Sequence, residues 1–314
     1  MSKRLIALPV AMLAIAAFAP GIATAANFNT TATIAIKGSQ GKTFGGRVNS
    51  SRAACKSNRT VTLQRKSPGA ANFVAIGSDK SANNGDWQVN TNPISGAQYR
   101  AQVAVKNLGG GNKCVAATSP VVTARQSTST IAIGTPAGLS FRGDVNSTSS
   151  GCESGRLVTL QRKLPGGSFA NVANDTTGAG GAWEVPTNPV NGAQYKGFVS
   201  AKQVGSNSCM AVNSPVTTAR VTNLTIQQGG STNFHGVANS VPACEPNRTV
   251  TLQRSVTAPY TAFTNVGTDA TDGSGAWRVN TSVISGAHYR AFVGARQAGA
   301  NSCMSDMSNE VTAT

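Results

Sequence analysis

The chain has 314 residues, a formal net charge of +16, and only 12% charged residues against 39% apolar ones. Helix-forming Glu, Lys and Leu are too sparse for an α protein, while Val, Thr, Ser, Asn and Gly favour short strands and turns. Eleven carboxylates and two histidines leave little material for acid–base chemistry.

The first elements are those of a secretory signal peptide over residues 1–25. Lys3 and Arg4 precede an apolar run from Leu5 to Phe18 that is broken only by Pro9; Pro20, Gly21 and Ala23-Thr24-Ala25 follow as a cleavage region. The run is short for a membrane span of about 20 residues, and no later stretch is apolar enough to cross. The expectation is a secreted protein, extracellular or periplasmic, without a transmembrane span.

Beyond residue 26 one pattern occurs three times. Val61-Thr62-Leu63-Gln64-Arg65 recurs at 158–162 and 250–254, Gly85-Asp86-Trp87 at 181–183 and 275–277, and Gly96-Ala97-Gln98-Tyr99 at 192–195 and 286–289. The period is 92 to 97 residues. The repeats run over 27–126, 127–220 and 221–314, with short polar joins at 125–129 and 220–223 that limit interdomain motion without abolishing it.

Each repeat opens on a strand signal, as in Thr33-Ile34-Ala35-Ile36. Val61 and Leu63 alternate with Thr62 and Gln64. Tyr99, Ala101, Val103 and Val105 share one face of a period-two run, with Arg100, Gln102 and Ala104 on the other. Ser67-Pro68-Gly69 and Asn83-Asn84-Gly85 mark turns. About seven strands with one apolar face each predict an all-β chain of three tandem Greek-key-type β-sandwich domains. Trp87, Trp183 and Trp277 each stand two residues before a Val, which assigns them to the core rather than to sugar-stacking platforms; Tyr99, Tyr195 and Tyr289 join them there.

Six cysteines fall two to a repeat. If all three units share a fold, each closes its own pair: Cys55 with Cys114, Cys152 with Cys209, Cys244 with Cys303. An exported chain meets an oxidising compartment. Two thiols per repeat cannot furnish a four-ligand zinc site, so neither metal nor cofactor is expected.

These residues resemble bacterial extracellular Ig-like domains, and among them transthyretin-like (carboxypeptidase-regulatory-like) modules. The resemblance implies seven-stranded sandwiches with accessory or structural roles. The antibody-type order is absent, since Trp87 lies 32 residues after Cys55 and Tyr99 lies 15 before Cys114.

A catalytic constellation is not evident. His235 and His288 stand where the second repeat has Arg142 and Gln194, outside the repeated framework. Asp269 and Asp272 form the best carboxylate cluster, but without EF-hand spacing they read as a hairpin turn rather than a calcium loop. The expectation is a non-enzymatic structural or adhesive protein.

Charge separates the otherwise matched units. The first repeat carries thirteen Lys and Arg against two acids, the second seven against four, and the third five against five. Lys37, Lys42, Arg47, Arg52, Lys56 and Arg59 gather around the first cysteine and are the candidate anion-binding residues. The expected partners are an anionic envelope polysaccharide or glycan, or a second copy of the chain; without a recognition helix, sequence-specific nucleic-acid binding is not expected.

Overall fold

The computed structural model describes residues 25–37, 41–134 and 140–314. Residues 1–24 of the expected signal peptide lie outside the described residues.

Each repeat folds into two facing sheets. In the first repeat Thr43–Asn49 is the centre of the smaller sheet, flanked on one side by Thr31–Ala32 and Ala35–Lys37 and on the other by Asp86–Asn90. The larger sheet runs in the order Val74–Lys80, Thr60–Lys66, Gln98–Val103, with Ala117–Thr118 and Val122–Arg125 along its last edge. The chain crosses between sheets after residue 49, returns after 80 and crosses again after 90, which is a Greek-key path. Ser140–Ser147 and Asn233–Asn239 take the central position in the second and third repeats.

Period-two patterning places the core. Trp87 and Val89 point inward between exposed Asp86, Gln88 and Asn90. They meet Phe44, Val48, Val61, Leu63, Tyr99, Ala101 and Val103 from the other strands. Each large side chain buried this way stabilises the fold by roughly 1.5–3 kcal/mol. Phe44 stacks on Tyr99 at 4.2 Å between ring centroids, and Phe141–Tyr195 and Phe234–Tyr289 repeat that distance.

Two details differ from the sequence expectation. Val105 is 54% exposed, because the strand Gln98–Val103 stops before it. The opening strand signal at 33–36 is divided: Thr31–Ala32 and Ala35–Lys37 pair with the central strand separately. Between them the Thr33 carbonyl presses on Gly46, where a Cβ would come within 1.9 Å of its oxygen. Only glycine permits that approach, and Gly143 and Gly236 stand in the same place against Thr130 and Thr225.

The disulfides Cys55–Cys114, Cys152–Cys209 and Cys244–Cys303 all form within their repeats. Each ties a short 3-10 turn, such as Ala53–Cys55, to a hairpin that follows the strand of Tyr99, Tyr195 or Tyr289. This cystine hairpin also joins the repeats. Val122–Arg125 of the first repeat pairs in parallel with Asn207–Cys209 of the second, and Thr217–Arg220 of the second pairs in the same register with Asn301–Cys303 of the third. The larger sheet of one repeat therefore continues into the next. Ala201 and Met210 pack against the first core, and Ala295 and Met304 against the second. The joins expected to be short and polar begin in strand: Arg125 and Arg220 are both paired with the next repeat's hairpin, and Gln126 and Val221-Thr222 follow outside strands. In the first repeat the equivalent edge, Asn112–Cys114, is covered by Asn27–Phe28.

Candidate functional site

One of the candidate anion-binding residues is buried. Arg59 is 1% exposed, and its guanidinium donates to the carbonyls of Cys55 (2.9 Å), Ala104 (2.5 Å) and Val115 (2.9 Å) and to Thr30 Oγ1 (3.1 Å). With its donors spent on the chain itself, Arg59 has nothing to offer a surface anion, and it leaves the candidate set. Arg156 and Arg248 occupy the same cage: Arg156 reaches the carbonyls of Cys152, Ser200 and Met210, and Arg248 those of Gly294 and Met304. Desolvation lowers all three guanidinium pKa values, to about 10 for Arg156 and Arg248; for Arg248 the Arg296 cation adds to the lowering and Asp306 opposes it.

All three arginines hold the two ends of the cystine hairpin, and Arg59 and Arg156 also tie them to the turn that carries the first cysteine. They are held by carbonyl dipoles, with no carboxylate among their hydrogen-bond acceptors. The sequence carried a signal for them that the charge count hid. Each stands four residues after the first cysteine of its repeat, directly behind a residue in the left-handed region: Asn58 at φ 53°, Gly155 at 60° and Asn247 at 55°.

The other candidates lie at the surface but do not form one patch. Lys37, Lys42, Arg47 and Arg52 are exposed and Lys56 is half-buried. Arg47 is ion-paired with Asp86 at 3.1 Å, and Arg52 lies over the Phe28 ring at 4.6 Å. Lys42 alone faces a concavity.

That concavity, of about 780 Å³, lies where Lys42 of the first repeat overhangs the outer face of the second repeat's larger sheet. Thr159, Gln161, Asn171, Lys196, Phe198 and Asn213 line its floor and sides. Its size is that of a small-molecule or oligomer-unit site. Gly41, with φ +61°, seats the overhang: a Cβ there would lie 2.9 Å from the Ala211 nitrogen. Within the groove Gln161 donates its amide to Asn171 Oδ1 at 2.9 Å, and the Lys196 ammonium sits 4.4 Å over the Phe169 ring.

Trp87, Trp183 and Trp277 are each 3% exposed, and their ring nitrogens have no hydrogen-bond partner. So little exposed surface cannot serve as a stacking platform. The tyrosines are equally buried, and each hydroxyl accepts a backbone N–H five residues upstream: Ile94 to Tyr99 at 2.8 Å, Val190 to Tyr195 at 2.9 Å, Ile284 to Tyr289 at 3.1 Å. This is the tyrosine-corner arrangement of Ig-like sandwiches, which sequence spacing alone did not reveal.

His235 and His288 are not brought together. His235 is on a smaller-sheet strand, whereas His288 is on the larger sheet, stacked on Tyr260 at 3.9 Å and 3.3 Å from Glu310. Asp269 accepts the Arg278 N–H at 2.7 Å, as Asp79 and Asp175 accept those of Gln88 and Glu184. Asp272 folds its own turn, accepting from Ser274 and Ala276, and these bonds hold its carboxyl below the usual range. Among the described residues there is no cluster of three or more His, Cys, Asp or Glu suited to a metal ion, and no helix long and apolar enough to cross a membrane.

No protein-family model and no curated protein matches the chain. Among solved structures it is similar to the FN1 to FN3 domains of chicken CNTN1, with 12% identity and a TM-score of 0.28, over 91% of this chain and 99% of that one. It is also similar to three consecutive domains of titin, with 10% identity and a TM-score of 0.21, over 86% and 92%. Likeness at that level carries no argument; the Ig-like sandwich assignment stands on the strands, registers and tyrosine corners above.

Proposed function

We propose that this chain is an exported, non-catalytic structural or adhesive protein whose three sandwiches act as one semi-rigid array outside the cell or in the periplasm. The observation that carries this reading is the parallel pairing of each repeat's last strand with the next repeat's cystine hairpin. A bead-and-linker chain transmits force through a few single bonds. Here the load passes through a shared sheet and packed apolar side chains. The intradomain disulfides fit an oxidising compartment, and the resemblance to transthyretin-like accessory modules belongs to the same reading.

Light scattering on size-exclusion fractions at several concentrations and salt levels, with small-angle X-ray scattering on the same fractions, tests it. One rigid scattering profile supports the array, and growth with concentration adds self-association. An ensemble of freely hinged beads overturns it. Turnover of a generic hydrolase substrate, lost in His235→Ala or Asp269→Asn, overturns the non-catalytic part.

A second reading is favoured by the charge of the first repeat and by the groove beneath Lys42: the basic end captures an anionic polymer or glycan. Retention on such a polymer that falls with salt supports it.

A further inference from the structure

The groove between the first and second repeats carries a different cation from the corresponding faces of the other repeats, Lys196 where they have Arg100 and Arg290, and differs from them also at Asn213, where they have Thr118 and Met307. In the first repeat Arg100 lies over Phe73 and donates to Gln64 Oε1 at 2.7 Å. In the third, Arg290 lies over Phe263 and donates to Gln253 Oε1 at 2.9 Å. In both, the glutamine amide nitrogen is bonded as well, to Gln102 in one and Asn265 in the other. On those faces both ends of the glutamine amide are bonded.

In the second repeat the cation is Lys196, which keeps its place over Phe169 but makes no bond to Gln161. Gln161 spends its amide nitrogen on Asn171 Oδ1, so Gln161 Oε1 remains an open acceptor and Asn171 Nδ2 an open donor. These two groups line the concavity that Lys42 overhangs, beside Asn213, and among the described lining residues none is acidic. Two ammonium groups from two repeats thus face a polar floor presenting a hydroxyl-scale donor and acceptor.

We infer that this groove is a binding site for an acidic polysaccharide, with a uronate carboxylate between Lys42 and Lys196 and sugar hydroxyls on Gln161, Asn171 and Asn213. Lysine meets a carboxylate or a phosphate as a point charge, without the bidentate fork of arginine, so the choice of anion falls to the floor of the groove. The amide floor matches hydroxyls rather than a nucleic-acid backbone. A bound sugar would touch both repeats and brace their junction. The inference rests on the anionic-polymer reading above, not on the structural one.

The test uses the full mature chain on immobilised polygalacturonate, with neutral dextran and duplex DNA as comparators at one ionic strength. Lys42→Gln and Lys196→Gln each weaken binding about three- to tenfold, the size of one lost polar contact. Lys196→Arg keeps the charge but supplies the guanidinium that consumes Gln161 Oε1, and it also weakens binding roughly threefold or more. Lys66→Gln and Lys80→Gln, which lie outside the groove, leave binding unchanged. Circular dichroism of each variant confirms folding. If Lys196→Arg binds like the native chain, or Lys66→Gln loses as much as Lys42→Gln, the groove is overturned while diffuse polymer binding survives. Tighter binding to DNA than to polygalacturonate overturns the saccharide assignment. No retention on either polyanion overturns both the groove and the reading it rests on.

Discussion

Arg125 Nε donates to Asn207 Oδ1 at 2.8 Å across the boundary between the first and second repeats, and Arg220 makes the same bond, at the same length, to Asn301 across the next boundary. In the first repeat the matching Asn112 Oδ1 accepts the Ala26 N–H at 2.9 Å instead. One asparagine position therefore reads the strand laid beside it, by side chain or by backbone. Cutting the bond tests how far the junction is cooperative. A double-mutant cycle on Arg125→Ala and Asn207→Ala should give a coupling of about 0.5–1.5 kcal/mol in denaturant unfolding. Coupling near zero would mean that the strands alone hold the junction.

The caged arginines should be far less tolerant of change. Replacing Arg156 by Met leaves the Cys152, Ser200 and Met210 carbonyls without their donor, at a cost of about 3 kcal/mol or more. Lysine should not rescue it, because three donors on one nitrogen cannot span carbonyls set around a planar fork. The urea midpoint of the R156M and R156K chains checks both statements. A native midpoint in either would show that the cage is ornamental to stability.

Removing the second disulfide should have a local and a neighbouring effect. Its loop of 57 residues corresponds to roughly 4 kcal/mol on the chain-entropy model. Because the hairpin carrying Cys209 also pairs with the first repeat, Cys152→Ala with Cys209→Ala should speed hydrogen exchange at the Thr123 and Met210 amides, which bond across the boundary at 2.7 and 2.8 Å. Loss of protection confined to the second repeat would argue that the junction stands without it.

The turn at Asp272 supplies a pH signature. Hydrogen bonds from the Ser274 side chain and from the Ser274 and Ala276 backbone lower its pKa in the folded state. A depressed carboxyl stabilises the fold above its unfolded pKa, about 3.9, and that contribution is lost as pH falls through the lower folded value. The stability difference between the native chain and Asp272→Asn should be constant near neutrality and shrink below about pH 4. A difference that grew on acidification would contradict the assignment.

The tyrosine corner predicts a smaller loss. Tyr195→Phe removes the acceptor for the Val190 N–H while keeping the ring stacked on Phe141, and should cost about 1 kcal/mol by calorimetry or denaturant. Tyr99→Phe and Tyr289→Phe should match it, since the geometry recurs.

Much of the architecture was legible because strand periodicity and repetition reinforce each other. A buried Trp or Tyr recurring in three copies, flanked by alternating polar residues, leaves few ways to fold. What the sequence concealed were interactions in which a residue's type misleads about its place. Arg59 counts as surface charge in any tally, yet its carbonyl partners come from residues 55, 104 and 115, and its fixed spacing from Cys55 marks the position without naming the two distant partners. Val105 fits the alternation of its neighbours, but the strand ends before it. The groove was illegible for a related reason: Lys196 in place of an arginine reads as conservative, and only the geometry shows the bond to Gln161 that it fails to make.

The cystine hairpin also sets the unit in which this chain is divisible. A fragment cut at the sequence repeat, over 127–220, would bare the edge Asn207–Cys209 and strip its core of Ala295 and Met304. A fragment begun near residue 122 would bring its own covering strand, as residues 26–28 do for the first repeat. The period read from the letters and the period that closes in space are thus out of phase by one strand, so grafting, shuffling or excising these modules should follow the second.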